Sequence, residues 1–205
     1  MSAFPLDRQT AAVVTIDMHR GHLDPAVATM PLPAEAAARV TAANKVLVDG
    51  ARVLGVPVIH VVTSYHDVSE IASNPWWERV AGTDATRSNV LRHQLQGSPG
   101  LEVMPGLLDP ADVVVYNKKR YDSFVATDLD HVLRARGIKT VLLTGVNTNS
   151  CVLATTVSAN ARDYAAVVVE DCVDTMDRSL HESALSLIRQ AFGWTATASE
   201  ILEAL

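Results

Sequence analysis

The sequence of 205 residues is poor in several features, and each scarcity excludes a class of protein. Two cysteines are too few for a disulfide framework in a chain of this length. Seventeen basic against twenty-three acidic side chains give a formal charge of -6, so charge offers no case for binding nucleic acid or an anionic membrane. No apolar run approaches the roughly 20 residues of a membrane-spanning helix. Small-molecule chemistry is the function class that these absences favour.

The sequence does have enough apolar content for one substantial core. Hydrophobic residues make up 48% and charged residues only 20%, which is typical of a globular chain, so we expect a single domain over residues 1–205. The first ten residues lack a basic segment followed by an apolar core. We therefore expect no secretory signal and a cytoplasmic location, where the thiols stay reduced.

Short apolar runs rich in β-branched residues alternate with helical patterns. The runs predict strands at residues 12–16, 58–63, 113–116, 140–144, 165–169 and 194–197. The helical patterns lie at residues 33–54, 127–136, 149–162 and 179–192. Strands that are apolar throughout and alternate with helices are typical of a parallel sheet covered on both faces. The prediction is an α/β fold, three-layer and doubly wound, with a six-stranded mostly parallel sheet and a ligand crevice at the carboxyl ends of its strands.

Residues 64–110 are the exception to this alternation. They contain several glycines and prolines, the pair Trp76 and Trp77, and a pattern that allows one short helix at residues 84–94. A segment of this length with so weak a pattern predicts a loop over the site that sets substrate specificity. The two tryptophans either line the pocket or fill a satellite core or subunit interface.

Three ionisable residues directly follow apolar runs. Asp17 ends VVTID, Lys118 follows VVVYN, and Cys151 lies past VLLTGVNTN. A doubly wound fold brings such strand ends together, so the three would supply a base, a cation and a nucleophile. The alternatives are that Asp17 caps a loop, that Lys118 belongs to a solvated basic run, and that Cys151 is an inert buried side chain.

The two cysteines lie in different surroundings. Cys151 falls in the first turn of the helix predicted at residues 149–162, with Thr148 or Asn149 as its cap. The free N–H groups and the dipole of that turn favour thiolate, so we expect a lowered pKa. Cys172 follows two acidic residues, which disfavour thiolate, and is predicted to be structural.

The segments TIDMHRGH, NKKRYDSF and GVNTNSCV occur in this order along the chain. With them the sequence resembles the isochorismatase-like superfamily of cysteine hydrolases, which includes nicotinamidases, N-carbamoylsarcosine amidases, biuret hydrolases and ureidoacrylate amidohydrolases. The resemblance covers nearly the whole chain. G-V-x-T-x-x-C-V is its most specific motif.

The resemblance implies roles for particular residues. It makes Asp17, Lys118 and Cys151 a catalytic triad, because the K-x-R-Y motif selects Lys118 over Lys119. It also implies a cis peptide bond between Val146 and Asn147, which aims the backbone N–H groups of Asn147 and Cys151 at the substrate oxygen as an oxyanion hole.

Some positions depart from the family pattern. His19 and His22 stand where many members have Gln and Phe, so one pocket wall is more polar than usual. We expect His22, Tyr121 and Phe124 to contact substrate, with the alternative that His22 is satisfied by nearby backbone.

The metal ligands of nicotinamidases, an Asp-x-His and a further His after the second strand, are not reproduced in HVVTSYHD. His19 and His22 alone lack a clear third ligand. We therefore expect no metal and no cofactor.

An intact triad points to hydrolysis of a C–N bond in a small amide, ureide or N-carbamoyl compound through a thioester acyl-enzyme. Two alternatives remain: a vinyl ether hydrolase of the isochorismatase type, which does not need the cysteine, and a noncatalytic binding domain. A dinucleotide enzyme is disfavoured because no G-x-G-x-x-G follows the first strand. The resemblance also implies a homodimer or homotetramer.

Overall fold

Six parallel strands form one sheet in the computed structural model, which describes residues 4–83 and 89–205. The strands are β1 Ala11–Ile16, β2 Val58–Thr63, β3 Val113–Lys118, β4 Thr140–Val146, β5 Ala165–Asp174 and β6 Trp194–Ala196. Their order across the sheet is β3-β2-β1-β4-β5-β6. This is the doubly wound topology predicted from the sequence, and all six strand predictions are confirmed.

Helices cover both faces of the sheet and complete three layers. They are α1 Arg20–Leu23, α2 Ala34–Val53, α3 Val68–Ala72, α4 Pro75–Val80, α5 Leu129–Ala135, α6 Leu153–Asn160, α7 Arg178–Leu187 and α8 Ala198–Ala204. Helices α2 and α8 pack on one face, and α5, α6 and α7 pack on the other. Successive strand residues point to opposite faces, so Val13 joins the first core and Val14 the second. Both are fully buried, which explains why β1 is apolar throughout.

Most element boundaries lie within one or two residues of the sequence prediction, and β5 and the helix after β4 show larger differences. Strand β5 continues five residues past the predicted end at 169, as far as Asp174, and its pairing with β4 shifts register between Leu143 and Gly145. The acidic pair at 170 and 171 therefore lies within the strand and does not end it. The helix predicted at residues 149–162 begins with a π-helical turn, Thr148–Val152, and continues as α6 to Asn160.

The predicted cap of that helix is wrong. Asn147 occupies the N-cap position and makes no side-chain cap hydrogen bond. The side chains of Thr148 and Asn149 bond instead to His181 and Thr175, in other parts of the fold. The two polar side chains predicted to cap the helix are therefore bonded to residues distant in the sequence.

The segment 64–110 carries more structure than its sequence pattern suggests. Its described residues form α3, α4 and two 3-10 turns, Val90–Arg92 and Pro99–Leu101. Of the helix predicted at 84–94, residues 84–88 lie outside the described residues, and the part that is described forms only the first of these 3-10 turns. Within the two described ranges, no helix has both the length and the apolar character to cross a membrane.

Gly145 lets β4 approach β1 closely at the point where strand order reverses. Its φ of 107° lies in a region that side-chain-bearing residues rarely adopt. A Cβ at this position would lie 2.0 Å from the carbonyl oxygen of Ile16. The close approach brings the end of β1 beside the end of β4, where ligands bind in folds of this type.

Candidate active site

The three ionisable residues predicted at strand ends lie together at the carboxyl edge of the sheet. Asp17 follows β1, Lys118 is the last residue of β3, and Cys151 follows β4 in the π-helical turn. All three are almost completely buried, with exposed fractions of 1%, 1% and 5%. The order of the strands, with β2 between β1 and β3, brings a fourth residue, Thr63, into the same cluster.

The Asp17 carboxylate accepts three hydrogen bonds and has one histidine nitrogen nearby. Its backbone has a φ of 54°, a left-handed conformation that aspartate tolerates better than most residues. Oδ1 accepts hydrogen bonds from Thr63 N at 2.9 Å and Thr63 Oγ1 at 2.7 Å. Oδ2 accepts one from Lys118 Nζ at 2.6 Å. His19 Nε2 lies 3.6 Å from Oδ1.

Lys118 uses all three of its ammonium protons within the cluster. Nζ donates to Asp17 Oδ2 at 2.6 Å, to Thr63 Oγ1 at 2.7 Å and to Cys151 Sγ at 3.5 Å. The neighbouring Lys119 instead bonds to Glu70 Oε2 at 2.9 Å and to a backbone carbonyl. The geometry thus agrees with the choice of Lys118 over Lys119.

Thr63 is a member of the cluster that the sequence reasoning missed. It is the last residue of β2 and therefore meets the strand-end criterion that identifies Asp17 and Lys118. The sequence prediction names only the ionisable residues at strand ends, and threonine is not ionisable. The criterion of a polar residue at a strand end includes Thr63 as well.

The pKa shifts in the cluster favour the charged forms of both Asp17 and Lys118. Burial opposes ionisation of Asp17, but the charge of Lys118 and the contacts with His19 together outweigh it and hold the pKa of that carboxyl well below its usual value. Burial likewise opposes the charge on Lys118, and the interactions with Asp17 and Cys151 together reverse the effect and raise the pKa of the ammonium. The two residues therefore form an ion pair at neutral pH.

Cys151 is a thiol in this environment, not the thiolate expected from its position in a first helical turn. Burial raises the pKa of Cys151 to about 11, and the charge of Lys118 opposes this rise without cancelling it. The expectation of a lowered pKa is wrong because desolvation of the sulfur outweighs the attraction of the nearby charge.

Cys172 fulfils its predicted structural role. It lies within β5, is fully buried and belongs to the core. Burial, together with the neighbouring Asp171, raises the pKa of its thiol.

The turn that carries Cys151 is fixed on both sides. The peptide bond between Val146 and Asn147 is cis, as the family resemblance implies. Thr148 Oγ1 bonds to His181 Nδ1 at 2.9 Å, and Thr175 Oγ1 donates to Asn149 Oδ1 at 2.7 Å. The backbone around Asn147 and Cys151 is therefore anchored to α7 and to the loop after β5.

A cavity of about 300 Å³ opens onto the cluster. Asp17, Lys118 and Cys151 form its floor, and two of the predicted substrate contacts, His22 and Tyr121, line its wall. Such a volume suits a small metabolite better than a peptide.

Phe124, the third predicted substrate contact, lies outside this cavity. Its ring stacks on Tyr164 with centroids 5.9 Å apart, and the Arg162 guanidinium lies 4.8 Å from its centroid. It is a core residue, 5% exposed.

The two tryptophans of the 64–110 segment have different surroundings. Trp77 lines the cavity, packs in a satellite cluster with Tyr65, and donates from Nε1 to Tyr121 Oη at 3.0 Å. It thus serves both as pocket wall and as satellite core. Trp76 is 62% exposed.

Three histidines form part of the same cavity region. The rings of His19 and His22 stack with centroids 4.9 Å apart, and His93 lies 4.5 Å from His22. Burial lowers the pKa of His22 to about 4 and holds the pKa of His93 well below its usual value, so both rings are neutral at neutral pH. His93 comes from the 64–110 segment and has no local motif that would have identified it.

The chain is similar to known proteins over nearly its whole length. Residues 11–200 match the family model of the Isochorismatase domain. The ureidoacrylate amidohydrolase RutB of Caulobacter vibrioides is 30% identical, over 96% of this chain and 91% of that protein. A maleamate amidohydrolase of Pseudomonas putida is 28% identical, over 95% of this chain and 86% of that protein.

A solved structure also superimposes over most of the fold. The N-carbamoylsarcosine amidase of Thermoplasma acidophilum has a TM-score of 0.73 and 27% identity, and the match covers 92% of this chain and 96% of that one. The fold is therefore shared over nearly the full length of both chains.

Proposed function

This chain belongs to the isochorismatase family, and from that premise we propose that it is a cysteine-dependent amidohydrolase of small N-carbamoyl compounds or primary amides that carry a carboxylate. The observation that supports this most directly is the buried cluster of Asp17, Lys118 and Cys151 on the floor of a metabolite-sized cavity. It combines a nucleophile, a base and a fixed cation within hydrogen-bonding reach.

The proposed reaction starts from the thiol. Cys151 Sγ attacks the substrate carbonyl carbon, a C–S bond forms, and the thiol proton passes to Asp17. The N–H groups of Asn147 and Cys151 stabilise the oxyanion. The C–N bond then breaks as Asp17 returns the proton to the leaving nitrogen, which departs as ammonia or an amine and leaves a thioester.

Water completes the cycle, and Asp17 again first accepts a proton and then donates it. Asp17 accepts a proton from the water as its oxygen attacks the thioester carbonyl. The C–S bond breaks, the acid product leaves, and the sulfur recovers its proton from Asp17. Over one turnover the thiol proton thus leaves on the departing nitrogen, and a proton from water restores the thiol.

The net charge of the buried site explains why Asp17 suits the role of base. Loss of the Cys151 proton to solvent would leave two negative charges beside one positive charge in a buried site. Transfer of that proton to Asp17 leaves the sum of charges at zero, with Lys118 now paired to the thiolate. A buried site favours the transfer that keeps it neutral.

The three named relatives suggest the substrate class. Ureidoacrylate, maleamate and N-carbamoylsarcosine each combine a carbamoyl or amide group with a carboxylate. In this chain Arg120 lines the cavity with its guanidinium 5.0 Å from the Trp77 ring centroid. Its hydrogen bonds go to backbone carbonyls and to Ser73 Oγ, and no carboxylate of the described residues pairs with it. We propose that Arg120 binds the substrate carboxylate.

A panel of matched substrates tests the proposal. N-carbamoyl amino acids and primary amide acids should release ammonia faster than their methyl esters, with Cys151→Ala protein as the blank. Arg120→Met should raise KM for the acids about tenfold or more, because a hydrogen-bonded charge is lost, and should change turnover of the esters little. Arg79→Met, at an exposed arginine outside the cavity, is the matched control.

Rapid quenching followed by mass spectrometry tests the covalent step. A substrate-derived acyl adduct on Cys151 is expected. Full turnover by Cys151→Ala, as a vinyl ether hydrolase would show, contradicts the proposal. The absence of both ammonia release and acylation across the panel would favour a noncatalytic domain.

A further inference from the structure

We propose that His19, His22 and His93 form a binding site for a divalent transition metal ion such as Zn²⁺ on the cavity wall. The three are fully or almost fully buried, with exposed fractions of 0%, 5% and 6%. Each can offer a ring nitrogen, and the three donor atoms lie within 4.8 Å of one another. In the sequence, His19 and His22 have no clear third ligand nearby. In the fold, His93 supplies it.

The spacing of the donors is close to what a metal requires. Zinc binds histidine nitrogen at about 2.0–2.1 Å, so nitrogens on a tetrahedral ion lie about 3.4 Å apart. Donors within 4.8 Å reach that arrangement if each ring moves by roughly 1 Å or less. His19 precedes α1, His22 lies within it and His93 follows the 3-10 turn at Val90–Arg92.

Hydrogen bonds to two of the rings already prepare them as ligands. His22 Nδ1 lies 2.7 Å from the Met30 carbonyl oxygen. A carbonyl only accepts, so Nδ1 carries the proton and the neutral ring presents its lone pair on Nε2. His93 Nδ1 lies 2.8 Å from Thr29 Oγ1, which can accept in the same way. Metal-binding histidines usually have their second nitrogen held by such a partner.

His19 gives an independent indication of a missing ligand. Neither of its ring nitrogens has a hydrogen-bond partner in the described part of the chain, although both are buried. Its Nε2 lies 3.6 Å from Asp17 Oδ1, which is too long for a hydrogen bond, and that oxygen already accepts from Thr63. Buried polar atoms without a partner are rare, and a metal ion would provide one.

The site has an open side. His22 and His93 both line the cavity that holds Cys151. Three nitrogen ligands leave a fourth position for water or for an oxygen of a bound molecule. The ligand set also differs from an Asp-x-His pattern after the second strand, since His66 there is 63% exposed and pairs with Glu70.

Metal binding is best measured on Cys151→Ala protein, because a thiol in the same cavity could otherwise bind zinc. After stripping with a chelator, the protein is dialysed against buffered Zn²⁺ and its metal content is analysed. We expect one ion per chain. His93→Asn and His19→Gln should each raise the Kd about tenfold or more. His131→Asn, at an exposed histidine of α5, should leave the Kd unchanged.

A spectroscopic measurement identifies the ligands. Co²⁺ bound to the same protein should give the strong visible absorption of tetrahedral coordination, and His93→Asn should abolish it. Zn²⁺ should also raise the unfolding temperature of the parent but not that of the two ligand variants, whose cooperative melts without metal show that they are folded.

Three outcomes would overturn the proposal. They are substoichiometric Zn²⁺ in the Cys151→Ala protein, equal affinity in the ligand variants and the His131→Asn control, and an octahedral Co²⁺ spectrum typical of loosely held surface ions. None of these measurements depends on catalysis, so they remain decisive whether or not the proposed hydrolysis is correct.

Discussion

The ion pair between Lys118 and Asp17 should dominate the stability of the site, and a double-mutant cycle measures its strength. Lys118 Nζ lies 2.6 Å from Asp17 Oδ2, and the two side chains are 2% and 1% exposed. Lys118→Met keeps the length of the apolar stem and removes the charge. It leaves the Asp17 carboxylate buried without a cation, and Asp17→Asn leaves the Lys118 ammonium without an anion.

The expected magnitude follows from the burial of both partners. Breaking a buried pair by removing one member costs about 3–5 kcal/mol, because the remaining charge is desolvated and unpaired. We expect each single substitution to lower the free energy of unfolding by this amount at neutral pH. The double variant Asp17→Asn/Lys118→Met leaves no orphaned charge. It should lose less than the sum of the singles by about 3 kcal/mol or more.

Urea denaturation of the four proteins, with a chelator present, gives the cycle. The control is the same cycle on Lys45 and Asp49, a pair that is 54% and 49% exposed and 2.7 Å apart. Solvent screens that pair, so its coupling should be about 0.3–0.5 kcal/mol. A coupling for Lys118 and Asp17 as small as that of the surface pair would refute the account of the site as a buried, mutually dependent ion pair.

Three further predictions concern single positions. Thr63→Val should lower the free energy of unfolding by about 1.5–3 kcal/mol, because Asp17 and Lys118 each lose a hydrogen bond, whereas Thr63→Ser should stay close to the parent; equal losses in urea denaturation would contradict this. Gly145→Ala should cost about 3 kcal/mol or more, since its Cβ would lie 2.0 Å from the Ile16 carbonyl oxygen. Gly55→Ala, also at positive φ but with no atom within 4 Å of the added Cβ, should cost only about 1–2 kcal/mol, and thermal melts showing similar losses would be inconsistent with the steric argument. Iodoacetamide labelling of Cys151 should rise with pH toward a midpoint near its pKa of about 11, because burial keeps the thiol protonated, and a plateau below about pH 9 would show that burial does not control its ionisation.

The sheet could be predicted because its signals are local. A parallel strand buried on both faces must be apolar along its whole length, and the runs at 12–16 and 58–63 have that composition. The position of the strand ends then follows from chain topology, so the sequence alone is enough to predict that Asp17 and Lys118 meet. The sequence is a poorer guide in β5, where Glu170 and Asp171 indicate a strand end although the strand continues to Asp174.

Properties that depend on burial could not be predicted in the same way. The pKa of Cys151 depends on how much solvent the completed fold removes, and a helix position alone indicated the wrong direction. Phe124 follows a motif that pointed to the pocket, yet its neighbours Tyr164 and Arg162, far along the chain, hold it in the core. His93 reaches the cavity wall through a segment whose path no short-range pattern specifies. A homodimer or homotetramer and a cytoplasmic location stay predictions.

The three tryptophans differ in solvent exposure, so the intrinsic fluorescence of the protein can report on the cavity. Trp77 is 5% exposed and faces the cavity, while Trp76 and Trp194 are 62% and 39% exposed. Buried indoles emit at shorter wavelength than solvated ones, so the short-wavelength part of the fluorescence spectrum reports mainly on the cavity wall. Ligand binding in the cavity can therefore be followed by fluorescence titration of the unlabelled protein. The Trp77→Phe variant, which lacks the indole of the cavity wall, is the control.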